Sequence, residues 1–100
     1  MATLQTLNLL AVIVEFLGTF IFLTVIVVTG NPWAIGATLA AVIYLGGPIS
    51  GGDFNPAVTV MNLYRRAIGP ETAGAYIVAQ VLAGLTAATV YAQMRKGGIL

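Results

Sequence analysis

Two helix-breaking clusters and a nine-residue apolar run, packed into twenty-one positions, constrain this chain more than anything else in it. Gly46-Gly47-Pro48-Ile49-Ser50-Gly51-Gly52-Asp53-Phe54 leads directly into Asn55-Pro56-Ala57-Val58-Thr59-Val60-Met61-Asn62-Leu63-Tyr64, and that run stops at Arg65-Arg66. The glycines and the proline predict a break in any helix there. Asn55 followed by Pro56 reads as an N-cap and a first helical residue. Pro56 to Tyr64 gives about 13 Å of helix, close to half of a hydrocarbon core about 30 Å thick. Such a helix starts near the membrane midplane and ends at the surface its loop came from, where two arginines meet headgroups or water. An exposed loop with a short interfacial helix is the alternative. Ile49, Phe54, Ala57, Val58, Val60, Met61 and Leu63 make it too apolar for a solvated connection.

The flanking segments supply the membrane. One apolar run, from about Leu7 to Val28, would form roughly 33 Å of helix, enough to cross. Gly30-Asn31-Pro32 predicts a tight turn. A second run, Trp33 to about Gly47, is shorter and needs the residues after it, or a thin bilayer, to span. A third, Glu71 to Met94, is long enough, with Pro70 suited to its first turn. The expected fold is therefore an all-α membrane protein: three transmembrane helices (about 7–28, 33–47 and 71–94) plus one re-entrant segment (about 48–64), in one domain over residues 1–100.

Composition agrees. Of the 100 residues 59% are hydrophobic and 7% charged, against about 25% charged in soluble domains, so too few charges exist to cover a soluble exterior. A net charge of +1 and no basic cluster larger than two residues exclude nucleic-acid binding as an expectation. The absence of Cys and His removes disulfides, thiolate nucleophiles and the usual zinc and haem ligands; no cofactor or metal is expected. No nucleophile–base pair is visible, so an enzyme is not expected. With Glu15 as the first charged side chain, the opening segment reads as a permanent helix rather than a secretory signal.

Gly47-Pro48-Ile49-Ser50-Gly51-Gly52-Asp53-Phe54-Asn55-Pro56-Ala57-Val58-Thr59 resembles the first signature of the aquaporin, or major intrinsic protein, family. Val14-Glu15-Phe16-Leu17-Gly18-Thr19-Phe20 resembles that family's first-helix motif, and Ala79-Gln80 its third-helix motif. The three lie in family order across nearly the whole chain. Departures are Asp53 where the family usually has His, and a small residue one place late, Gly84 after Ala83. These residues hold one Asn-Pro-Ala and correspond to the first of the family's two inverted halves.

The resemblance implies a passive channel for water or other small neutral solutes. A half-helix N-terminus carries unpaired N–H groups and about half a positive charge; two such ends meeting at mid-membrane repel cations, as in aquaporin-type pores. Asn55 adds side-chain donors that turn the hydrogens of a passing water outward, while its carboxamide oxygen caps the helix. By resemblance, carbonyls from Gly51, Gly52, Asp53 and Phe54 line one wall beside Asn55, Pro56 and Ala57. The family's constriction positions fall on Ile35, Ile43, Gly52 and Val58, a zone less polar than in many relatives and without a cationic filter. Glu15, an ionisable group inside a spanning helix, is a functional candidate on general grounds. The resemblance instead implies that Glu15 and Gln80 brace the loop backbone. Asp53 either takes hydrogen bonds from loop amides, the favoured reading, or faces the vestibule.

Backbone that leaves helix at membrane depth needs shelter in protein or a water-filled cavity. Arg65 and Arg66 fall on one side of the membrane and Arg95 and Lys96 on the other, a balance that gives the positive-inside rule nothing to act on. An antiparallel homodimer, with a two-fold axis in the membrane plane, would rebuild an inverted repeat, and Gly36, Ala40, Gly84 and Ala88 would permit close helix contacts. The expected partners are thus a second copy, with four such dimers grouping by family analogy, together with lipid and a small neutral solute. Two other classes compete: a non-conducting subunit that co-assembles with a full-length relative, and a small ion channel or lesion-forming protein, which the half-helix and Asn55 argue against.

Overall fold

A computed structural model describes residues 7–100. Four helices follow in order: α1 (Leu9–Thr29), α2 (Pro32–Ser50), α3 (Pro56–Tyr64) and α4 (Pro70–Lys96). Their starts follow from local chemistry. Asn8 Oδ1 accepts from the Ala11 amide, Asn31 Oδ1 from the Trp33 and Ala34 amides, and Asn55 Oδ1 from the Ala57 amide. Pro32, Pro56 and Pro70 occupy first-turn positions, where a missing N–H costs nothing. Gly30 closes α1 at φ +56, its N–H reaching Ile26 O at 3.0 Å.

α1, α2 and α4 are long and apolar enough to cross a membrane, at about 31, 28 and 40 Å respectively. α1 lies between the other two, packing on α2 and on α4, and α3 packs on α4. Apart from Phe54 and Tyr76, the interior is made mainly of small and polar groups: Ala11, Ala73, Ala79, Ala83 and Ala87, with Glu15, Thr19, Thr59 and Gln80. Large apolar side chains such as Leu9, Leu10, Leu45 and Leu85 face outward. Lipid is as apolar as leucine, so burying leucine between helices gains little, whereas small residues let the backbones approach. The chain is an integral, multi-pass membrane protein.

α2 differs from its expected end. Gly46, Gly47 and Pro48 do not break it: the helix runs through Pro48 to Ser50 and stops at Gly51, φ +94, whose N–H meets Gly47 O at 2.8 Å. A proline inside a helix removes one backbone bond and crowds the preceding turn. Here the final turn is held from outside, because Ser50 Oγ donates to Glu15 and Tyr76 Oη donates to Ser50 O at 2.6 Å. Local signals mark a break; contacts from α1 and α4 move it by three residues.

Candidate functional site

The site is the non-helical link Gly51–Asn55 and the start of α3. Its anchor is Glu15 on α1, wholly buried. Oε2 accepts from Ser50 Oγ at 2.7 Å and the Asp53 amide at 3.0 Å; Oε1 accepts from the Phe54 amide at 2.8 Å and Gln80 Nε2 at 2.9 Å. Four donors converge on two oxygens, so every acceptor site of the carboxyl group has a partner. The two loop amides are those a non-helical link at membrane depth would otherwise strand.

A second cluster joins the loop to α3. Asp53 is buried, with Oδ2 accepting from Thr59 Oγ1 at 2.8 Å and Oδ1 from Asn62 Nδ2 at 2.9 Å. Thr59 Oγ1 in turn accepts from Gln80 Nε2 at 2.9 Å, and Asn62 Oδ1 from Arg65 Nε at 2.9 Å. One chain of hydrogen bonds thereby runs from an exposed arginine through both buried acids to α1. Asp53's partners are side chains of α3, neither the loop amides nor the vestibule of the two sequence readings.

Depth follows from the anchors. Glu15 lies about 9 Å along α1 from its start and Gln80 about 15 Å along α4 from its start. The loop therefore sits deep in a core about 30 Å thick, and α3 returns about 13 Å toward the surface at Arg65. The segment is re-entrant.

Phe54 has φ +52 and its side chain is 1% exposed. A Cβ built on Gly18 would lie 2.2 Å from Phe54 Cε1, and one on Gly46 would lie 3.0 Å from Phe54 Cζ. The ring thus fills a notch that two glycines leave between α1 and α2. Its side chain, like that of Asp53, is buried, so what either residue can offer a passage is backbone.

The other expected residues divide by exposure. Asn55, Pro56, Ala57, Gly51 and Ile43 are exposed, while Gly52, Val58 and Ile35 are half-buried. Gly52, at φ +68, packs against α2: an added Cβ would sit 3.3 Å from Gly47 Cα and 3.6 Å from Ile43 Cα. The structure therefore brings Gly52 and Ile43 together. Sequence reasoning missed Ser50, Thr59, Asn62 and Tyr76. Thr59 and Asn62 stand three apart, on one face of α3, and Tyr76 stands four before Gln80, so spacing carried a signal for all three once Asp53 and Gln80 were singled out. Among the described residues no group of three or more acids could hold a metal ion.

The sequence profile of the family described as Major intrinsic protein matches residues 25–99. Among curated proteins, the chain is 44% identical over 82 residues to "Glycerol uptake facilitator protein-like 6" of Lactiplantibacillus plantarum, covering 73% of this chain and 38% of that protein. It is 31% identical over 106 residues to "Probable aquaporin PIP2-7" of Oryza sativa subsp. japonica, covering 86% and 37%. To "Probable aquaporin PIP1-5" of Arabidopsis thaliana it is 35% identical over 102 residues, covering 85% and 36%. The chain thus spans less than two fifths of these relatives' length. No solved structure gives a significant match.

Proposed function

Because the chain belongs to the major intrinsic protein family, we propose that it forms one half of a passive channel for water or another small neutral solute, with a second, inverted copy as the other half. The observation that carries this reading is an asparagine-capped helix start deep in the membrane, with the Asn55 side chain exposed and its oxygen already used by the Ala57 amide. The amide nitrogen is left to donate to a passing oxygen, and the end of α3 adds its partial positive charge. The names of the relatives, aquaporins and a glycerol uptake facilitator, fit a neutral cargo. Ile35, Ile43, Gly52 and Val58 would give the narrow zone an aliphatic wall, favouring selection by size over selection by charge.

The exposed backbone around Gly51 supports the pairing. It lies where lipid cannot satisfy it, and an inverted copy would cover it with the same segment. The balance of Arg65 and Arg66 against Arg95 and Lys96 suits insertion in both directions.

Proteoliposomes containing only these 100 residues should shrink under an osmotic step several-fold faster than empty vesicles. Folded, inserted protein with no added permeability would contradict the channel and favour the non-conducting subunit. Orientation is tested separately. Two lysines added ahead of Leu7 should bias every molecule one way and abolish the added permeability, with topology read by labelling from outside. Uniform topology with full permeability would overturn the inverted pair while leaving the channel standing.

A further inference from the structure

We propose that Thr19 and Gln80 hold one buried water between α1 and α4, one helical turn further along α1 than the Glu15 anchor. This site belongs to the packing of the two helices and stands whatever the pore conducts.

Two polar atoms of the interior, Thr19 Oγ1 and Gln80 Oε1, have no hydrogen-bond partner among the described residues. Their residues are 1% and 2% exposed. Buried polar atoms are nearly always paired, with protein or with ordered water. The threonine is the more telling of the two. Thr24, Thr29, Thr38, Thr86 and Thr89 each donate to the carbonyl four residues back, at 2.6–2.8 Å. Thr19 makes no such bond to Glu15 O, so its hydroxyl is not spent on its own helix. Gln80 Nε2 donates at 2.9 Å to both Glu15 Oε1 and Thr59 Oγ1. Those two bonds fix the amide and leave Oε1 as the end with nothing to accept.

Register puts the two atoms at one level. Glu15 meets Gln80, and a Cβ built on Gly84 would lie 3.3 Å from Leu23 Cδ1, so α1 and α4 climb in the same direction. Thr19 stands midway between Glu15 and Leu23 on that face of α1, opposite the turn from Gln80 to Gly84. Helical side chains lean toward the N-terminus, which brings the Thr19 hydroxyl back toward Gln80. The buried face of α4 continues there as Ala83 and Ala87, with neither bulk nor a polar group to offer. Two such atoms, not bonded to each other, are what a bridging water joins. Gln80 Oε1 only accepts, whereas a hydroxyl both donates and accepts. The water therefore donates one proton to Gln80 Oε1 and accepts the Thr19 proton. Its second proton has the Glu15 carbonyl, which Thr19 passes over, as an acceptor on the same turn of α1. In this way α1 grips both ends of the Gln80 amide, through Glu15 at nitrogen and through Thr19 at oxygen.

Crystals of the full chain that diffract well enough to show single waters test this, with thermal unfolding in detergent beside them. Wild type should show a density peak within hydrogen-bond reach of both Thr19 Oγ1 and Gln80 Oε1. T19V, which keeps the shape and loses the hydroxyl, should lose that peak and melt about 5 °C lower. T19S should keep both the peak and the wild-type melting point. A wild-type structure with no peak, or with Thr19 Oγ1 bonded directly to Gln80 Oε1, overturns the site and leaves the channel reading standing. A T19V chain that retains the peak, or that melts with wild type, overturns it too. If T19V does not fold, the wild-type density decides alone.

Discussion

Glu15→Gln should destabilise the folded chain by about 3–5 kcal/mol, a large part of the roughly 5–15 kcal/mol that holds a domain together. The size of the effect comes from following the donors. An amide keeps one acceptor oxygen and replaces the other with an NH2 group. If the NH2 takes the Oε2 place, the Ser50 hydroxyl can reverse and accept, since Gly46 O lies 3.4 Å away to take its proton, but the Asp53 amide is left facing a donor. If the NH2 takes the Oε1 place, Gln80 can flip to present its own oxygen, but the Phe54 amide is left facing a donor. That flip also turns Thr59 away from Asp53. Each orientation strands one buried backbone N–H, at about 1–3 kcal/mol, and downgrades the surviving bonds from charge-assisted to neutral ones. Thermal unfolding in detergent should register a fall of about 15 °C or more. Glu15→Leu, which strands the Asp53 and Phe54 amides and one Gln80 Nε2 proton, should not yield folded protein. A Glu15→Gln chain that melts with wild type would show that the carboxylate is not what holds the loop.

Such an anchor is partly visible in sequence. A lone acid in an apolar run, and a lone amide in another, stand out because lipid tolerates neither without a partner. Glu15 and Gln80 are therefore conspicuous from residue type and position alone, and they turn out to be bonded to each other. Helix starts are legible for a similar reason: Asn31-Pro32 and Asn55-Pro56 carry their own capping chemistry. The end of α2 is not legible, because Pro48 is outvoted by bonds arriving from residues 35 and 26 positions away in the chain. The partners of Asp53 are hidden differently. Thr59 and Asn62 look like ordinary polar positions on a short helix, and only the path of the loop shows that one face of α3 turns back on the residue preceding its cap. The place of the Phe54 ring is hidden too. A large apolar residue in a loop can line a passage or wedge the loop in place, and the deciding information is the absence of side chains at Gly18 on α1 and Gly46 on α2.

Gly18→Ala should destabilise the chain by about 3 kcal/mol, near the top of the range for overpacking a filled interior, although Ala is the better helix former. The new methyl carbon would lie 2.2 Å from Phe54 Cε1 and 2.7 Å from Cδ1 and Cζ. The ring has no free direction of retreat: Gly46 limits it on α2, and the backbone that carries it is tied to Glu15 through the Phe54 amide and leads straight into the Asn55 cap. Relief must come from moving the loop, so osmotic permeability should fall with stability. The test that separates this contact from general crowding between α1 and α2 is a double-mutant cycle with Phe54→Leu, read by unfolding in detergent. A smaller side chain in the notch leaves room for the methyl group, and the pair should be more stable than the sum of the single changes by at least about 1 kcal/mol, as expected for residues in direct contact. Additive losses would mean that Gly18 serves only the approach of two helices. Recovery would mean that the glycine is there for the ring, and that the ring fixes where the Asn55 side chain stands.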